Sequence, residues 1–215
     1  MSTPTTILNA RDHHPDPAAF ARIGSILDNG GIIVYPTETF YALGAAADAA
    51  AGIEKIYRLK ERDRGKPLSV VVAELGTAES CAEFLPAVFG RLAGEFWPGP
   101  LTLIVKARAG FPPALLGPGG SIAMRVPGSA WLRELLANFG RPVTATSANI
   151  SGDAEISRGA DAIRLFEGKV DLIVDGGDTP GGLPSTIVDL TRVPPRVIRA
   201  GAVPALFLAP FLGPN

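Results

Sequence analysis

Two periods of apolar residues run along this chain, and the switches between them mark most of its elements. Asp16-Pro17, then Phe20, Ile23 and Leu27 at helical spacing, then Gly30-Gly31, predict a helix with an acidic N-cap and proline at its first position. The run Ile32-Ile33-Val34-Tyr35 predicts a strand. A second helix is expected from near Asp48, with Ile53, Ile56, Tyr57 and Lys60 on one side, fading into the charged stretch KERDRGKP. Further on, strands are expected over 68–72, 101–107, 122–126 and 142–146, and helices over 86–96, 129–139 and 160–166. The end is strand-rich, with DLIVD, STIVDL and RVIRA in succession. Early alternation of helix and strand followed by crowded strands predicts an α/β fold with a mixed sheet.

No internal repeat and no long linker interrupts the pattern. The richest break, DGGDTPGGLP at 175–184, is a loop between strands, so residues 1–215 are expected as a single domain. Residues 1–15 are expected as a flexible leader and 203–215 as a C-terminal tail packing on the domain.

Composition narrows the class. The 215 residues are 47% hydrophobic and 19% charged, enough to bury a core without metal or disulfide staples. A formal net charge of -1 gives no global drive toward nucleic acid or an anionic membrane, so anion binding must come from local placement. Cys81 is the only cysteine, which excludes an intrachain disulfide and a cysteine-rich zinc site; it is expected as a small buried hydrophobe in a helix. No basic head precedes an apolar core at the N-terminus and no run approaches the ~20 apolar residues of a membrane span, so a cytoplasmic protein with no membrane association is expected.

Five segments are too polar or too glycine-bound for their positions, and strand-end loops are where α/β sheets bind ligands. They are YPTETFYALG, KERDRGKPL, SIAMRVPG, TSANISG, and LPSTIVDL with the later VIRAGA. In and just before KERDRGKP the cations Arg58, Lys60, Arg62, Arg64 and Lys66 make either a polyphosphate fork or a solvated, internally paired helix end. Thr144, Thr146, Ser147 and Asn149 are either ligand donors and acceptors or ordinary caps and turns, and the same choice stands for Pro184-Ser185-Thr186. Arg125 and Arg199 lie in apolar strand runs, where each must point outward or meet an anion. The nucleotide-binding patterns GxxxxGK[ST] and GxGxxG and the nucleophile elbow GxSxG are all missing, and His13 and His14 are the only histidines. The chain offers hydroxyls and cations rather than a nucleophile–base pair.

In this order the segments resemble the Sua5/YrdC/TsaC family of threonylcarbamoyl-AMP synthases, over roughly residues 30–202. YPTETFYALG is similar to its P-T-E-T-x-Y-G-L-G, IYRLKERDRGKPL to I-x-x-x-K-x-R-x-x-x-K-P-L, WPGPLTLIV to W-P-G-P-L-T, MRVPG to R-x-P, and TSANISG to T-S-A-N-x-S-G, with PSTIVD and VIRAGA closing the set. Departures are Ala42 for a glycine, Asp63 for a frequent proline, Val71 where some members place histidine, and Gly128-Ser129 after R-x-P.

The resemblance implies an open, twisted sheet with flanking helices and a concave ligand cleft, the YrdC-like fold. It implies that L-threonine, bicarbonate and ATP, with Mg2+, give threonylcarbamoyl-adenylate and pyrophosphate. That nucleotidyl transfer feeds threonylcarbamoyladenosine formation at position 37 of tRNAs through a separate transferase complex. By position, it implies ATP contacts at Lys60, Arg62, Lys66, Ser121, Ser147, Asn149 and Arg199, and threonine contacts at Thr39, Arg125, Ala145 and Ser185. No residue is assigned as a catalytic acid or base, and no protein metal ligand is assigned. The short, single-domain type of the family is expected, without the zinc-finger-like and acylphosphatase-like domains of related hydrogenase-maturation proteins. The alternative is a module of the same fold that binds double-stranded RNA or tRNA without making the adenylate.

Overall fold

The structure is a computed structural model and describes residues 4–12, 14 and 16–213. In chain order the elements begin β1 (Thr6–Asn9), α1 (Pro17–Asp28), β2 (Ile33–Pro36), β3 (Tyr41–Gly44), α2 (Ala50–Leu59), β4 (Ser69–Val71), α3 (Leu75–Cys81), β5 (Ala82–Phe84) and α4 (Ala87–Phe96). They continue with β6 (Leu101–Ala107), β7 (Ser121–Arg125), α5 (Ala130–Phe139), β8 (Val143–Ser147), α6 (Gly159–Phe166), β9 (Leu172–Asp175), β10 (Thr186–Asp189), β11 (Arg196–Arg199) and α7 (Ala205–Leu212).

Two of the helices, α1 and α5, start on side-chain caps. Asp16 accepts from the Ala18 amide ahead of Pro17, and Ser129 accepts from the Leu132 amide; Gly140, at φ 74, closes α5 in the left-handed region that glycine enters without strain. The strands make one open, mixed sheet in the order β1-β9-β2-β3-β8-β4-β7-β6-β10-β11, with β5 paired to β6 off the main path. Pairings β1–β9, β9–β2, β4–β7 and β6–β10 are parallel, and the rest are antiparallel.

Alternate residues of each strand feed opposite faces. One face is covered throughout: Val34, Leu43, Val70, Met124, Leu103 and Val188 belong to a single buried cluster with residues of α2, α4 and α6. On the other face α1 and α5 pack over β9, β2 and β3, where Phe20, Ile23, Leu27, Trp131 and Leu135 bury Ile33, Tyr35 and Val174. That second layer stops near β8. Beyond Val143 of β8 and Val71 of β4, which that layer buries, the same face is bare from β8 to β11, and the residues showing there are partly exposed, among them Ala145, Ser147, Ser69, Ala123 and Ile187.

Several elements differ from the sequence expectation. Residues 6–9, expected within a flexible leader, form the parallel edge strand β1 on β9, pinned by Thr5 Oγ1 to the Val170 carbonyl (2.6 Å) and Arg11 to Asp175 (2.9 Å). Polar flanks hid a four-residue strand; the rest of the leader expectation at 1–3, 13 and 15 lies outside the described residues. The second half of YPTETFYALG is not loop but the buried strand β3, hairpinned antiparallel to β2. Cys81 matches its expectation, buried at the end of the short helix α3. Within the tail, Ala205–Leu212 form the helix α7, which packs on α4 with Leu208 fully buried and Phe211 edge-on to Phe96 at 5.9 Å, while 214–215 lie outside the described residues.

Candidate active site

The bare half of the sheet face forms a cleft of about 730 Å³, counting its open mouth, lined among others by Thr39, Arg62, Ser69, Arg125, Ala145, Ser147, Glu155, Ser185 and Arg199. Register explains why these residues meet. Ala42 pairs with Ser147, Ser69 with Ala145, and Val71 with Arg125, so one row of alternating positions crosses β3, β8, β4 and β7. Small side chains at Ala42, Ser69 and Ala145 keep the floor low, and the longer polar groups stand at its margins.

The loop between β2 and β3 forms one wall. Thr37 Oγ1 donates to the Phe40 carbonyl at 2.7 Å and accepts from the Thr39 and Phe40 amides, a hydroxyl-made turn that presents Thr39. Glu38, on the same turn, reaches Arg125: Nη1 donates to Oε1 at 2.6 Å, both side chains being largely buried. Arg125 therefore points into the protein's ligand-facing side rather than outward, and its other guanidinium N–H groups have no protein acceptor among the described residues.

The adjoining wall is the loop after β8, bonded to the start of β3 through Ala148 and Ile156. Lys60, at the C-terminal end of α2, is 1% exposed, and its Nζ donates to the Ser147 carbonyl, the Asn149 carbonyl and Asn149 Oδ1. Ser147 Oγ donates to the same Oδ1 at 2.6 Å, and Asn149 Nδ2 to the Asp153 carbonyl at 2.6 Å. Lys60 and Asn149 thus act from behind the cleft as a clamp on its loop. Burial pushes the Lys60 ammonium down to about 8, Arg62 adds to the fall, and Glu155 opposes it.

The cations of KERDRGKP separate. Arg62 turns to the cleft, its fork held by the Lys66 and Pro67 carbonyls at 2.8 and 3.2 Å. Arg64 pairs with Glu54 at 2.5 Å and lies over the Tyr57 ring, while Arg58 and Lys66 are exposed. Lys66, expected among the nucleotide contacts, contributes its carbonyl to hold Arg62, and its side chain is outside the cleft lining. Ser121, expected likewise, is buried at the start of β7 against the Gly117 turn and does not line the cleft either.

At the far rim, Nε and Nη2 of Arg199 donate to the Ser185 carbonyl, and Nη2 also to Ser185 Oγ at 2.9 Å; that hydroxyl is 2.8 Å from Thr102 Oγ1. Arg199 is exposed at the rim, yet its surroundings lower its proton affinity, first by desolvation and then through Arg125 and Arg62, with Glu155 opposing. These charged groups therefore share one field.

Of the expected site residues, Arg62, Ser147, Arg199, Thr39, Arg125, Ala145 and Ser185 are brought together in this cleft. Sequence reasoning missed Glu38, Ser69, Thr102 and Glu155. Thr102 and Ser69 are polar positions in step with alternation toward the bare face, a signal that was legible; Glu155 sits in an irregular loop and gave none.

Comparison with known proteins agrees with this architecture. The Sua5/YciO/YrdC family, described as "Telomere recombination", matches residues 25–201. A threonylcarbamoyl-AMP synthase of Pyrococcus abyssi is 34% identical over 200 residues, covering 93% of this chain and 58% of that protein. P. abyssi Sua5 complexed with L-threonine superposes with a TM-score of 0.91 at 32% identity, over 97% of this chain and 61% of that one. E. coli YciO superposes with a TM-score of 0.85 at 30% identity, over 99% of this chain and 100% of that one. The chain spans less than two thirds of both P. abyssi proteins but the full length of YciO. A fold, a cleft and a sequence match that coincide in this way have one reading: the chain belongs to the Sua5/YciO/YrdC family.

Proposed function

We propose that this protein makes threonylcarbamoyl-AMP and pyrophosphate from L-threonine, bicarbonate and ATP. The observation that carries the reading is the convergence of Arg62, Arg125 and Arg199, from three separate elements, on one hydroxyl-lined cleft. The naming of the P. abyssi relative, and L-threonine in the P. abyssi Sua5 complex, support the substrate class.

In this reading the threonine carboxylate takes the Arg125 N–H groups left over from Glu38, with Thr39, Ser185 and the chain at Ala145 around the amino acid. The nucleotide phosphates take Arg62 and Arg199, and Ser147 and Asn149 define the loop they rest on. The threonine amine adds to bicarbonate with loss of water to give a carbamate. A carbamate oxygen then attacks the α-phosphorus and pyrophosphate leaves. Such a step depends on alignment and on cations placed where phosphate oxygens gain charge, so it does not call for a histidine base.

The donor set fits a magnesium ion carried in on the nucleotide: the cleft lining holds hydroxyls and the Glu155 carboxylate, while no group of three or more His, Cys, Asp or Glu gathers among the described residues. When bound, magnesium would shield the phosphate oxygens. A cytoplasmic setting and transfer of the product to tRNA by a separate transferase complex belong to the same proposal. No helix of the described residues is long and apolar enough to cross a membrane.

The test is pyrophosphate release from ATP, magnesium and bicarbonate, with and without L-threonine, against serine and glycine. Threonine-dependent release with an adenylate of the expected mass is the expected result. No release with any amino acid overturns the proposal.

A further inference from the structure

Among the described residues that line the cleft, Glu155 is the one carboxylate. It is half-buried, and among the described residues it forms no ion pair, although its charge is felt by both Lys60 and Arg199. The arginines around it are held by other partners, Arg62 by two carbonyls, Arg199 by Ser185 and Arg125 by Glu38, and among the described residues none is bonded to Glu155.

A bare carboxylate here is unfavourable for the ligand just assigned. A polyphosphate entering between Arg62 and Arg199 meets like charge in a partly desolvated cleft, where repulsion is weakly screened. A divalent cation removes the conflict. Magnesium sites on nucleotides typically combine phosphate oxygens and water with one or two protein carboxylates. The carboxylate is also placed to follow the nucleotide, because its loop leaves Asn149, which is clamped by Lys60 and bonded onward to the Asp153 carbonyl. Residues 151–154 between them are exposed, so the loop has room to adjust.

We propose that Glu155 is the protein's ligand to the divalent cation carried by the nucleotide, and that it makes nucleotide binding depend on that cation. This rests on the ATP reading above. It assigns the loop after β8 a role in admitting metal-loaded nucleotide and rejecting the bare anion.

The test is calorimetric binding of α,β-methylene-ATP, which cannot be cleaved at the reacting bond, to the wild type and to Glu155→Gln, each with magnesium and with EDTA. Manganese spin resonance of the same complexes reads the metal directly. The wild type should bind about tenfold more tightly with magnesium, a coupling of ordinary size. Glu155→Gln should bind the metal-free analogue more tightly than wild type does, and should lose most of the magnesium effect and the bound-manganese signal. An equal magnesium effect in both proteins overturns the assignment while leaving ATP binding intact. Equal weakening of Glu155→Gln with and without metal overturns it too, and points to a hydroxyl of the nucleotide as the partner. No nucleotide binding by either protein overturns the ATP reading and this inference together. A thermal melt of the variant confirms that it is folded.

Discussion

Arg125 Nη1 and Glu38 Oε1 lie 2.6 Å apart in a largely buried ion pair, and the other oxygen of Glu38 is buried with no hydrogen-bond partner among the described residues. The arginine assigned to the amino-acid carboxylate is therefore already half-neutralised by a carboxylate of the chain. Gly128 leaves room beside the pair, since a Cβ there would lie 3.2 Å from Glu38 Cγ, closer than ordinary contact. Removing one partner of such a pair strands a charge, at a typical cost of about 3 kcal/mol or more, whereas replacing both by apolar groups is often neutral. Arg125→Ala should lower stability by about that amount in urea melts and raise the threonine KM far more than the ATP KM. Arg125→Met combined with Glu38→Leu should recover stability without recovering threonine use. Recovery of both would remove Arg125 from the threonine site.

Arg62 and Lys66 stand four residues apart with different fates. Arg62 lines the cleft with its fork held by two carbonyls, whereas the Lys66 side chain is exposed outside it. Arg62→Ala should cost about 10²-fold in turnover, the usual scale for removing a fixed donor to a developing oxyanion. Lys66→Ala keeps the carbonyl that holds Arg62, so its turnover should stay close to wild type. Pyrophosphate release by the two purified variants separates them, and equal losses would mean that Lys66 folds into the cleft when nucleotide binds.

The contrast shows what the sequence could reveal. Helices with apolar faces of two turns or more, such as α1 and α5, announced themselves together with their caps, because burial against a sheet imposes a strict period. Short strands did not: β1 has four residues, and β3 is buried on both sides behind a polar turn, so neither alternates visibly. The cleft was legible where polar residues break an apolar strand, as at Arg125 and Ser147. Charge alone could not say which of Lys60, Arg62, Arg64 and Lys66 faces it, since that depends on how the chain curls after α2. There Glu61 takes a φ of 50 and Asp63 accepts from the Gly65 amide, and these bends set each side chain's direction.

Gly44 is a tightly packed position of the β2–β3 hairpin. A Cβ there would lie 2.6 Å from Tyr35 Cε1, 2.8 Å from Val143 Cγ1 and 2.9 Å from the Thr144 carbonyl oxygen. Tyr35 cannot easily yield, because its hydroxyl donates to that same carbonyl at 2.8 Å. Gly44→Ala should therefore cost about 1–3 kcal/mol. It should also weaken nucleotide binding through β8, which carries Ser147 at its end. An unfolding midpoint at the wild-type value would show that the hairpin can open without strain.

Lys60 should give stability and ligand affinity opposite pH dependences. Its ammonium is surrounded by three oxygens that favour the charged form, yet burial prevails and brings it from the ordinary 10.5 to about 8. Below about 8 the folded and unfolded chains both carry the proton, and the net penalty, set by burial and then Arg62 against Glu155, is at full size, on the order of 3 kcal/mol. Between about 8 and 10.5 the unfolded chain binds more protons than the folded one, so this group makes folding more favourable as pH rises. Nucleotide affinity should move the other way, because across the lower part of that window the loop of Ser147 and Asn149 loses the positive charge beneath it. Urea melts and α,β-methylene-ATP titrations should thus diverge above pH 8, and both trends should flatten in Lys60→Met. Affinity that holds constant across the window in the wild type would show that the lysine works only through hydrogen bonds that its neutral amine can still donate.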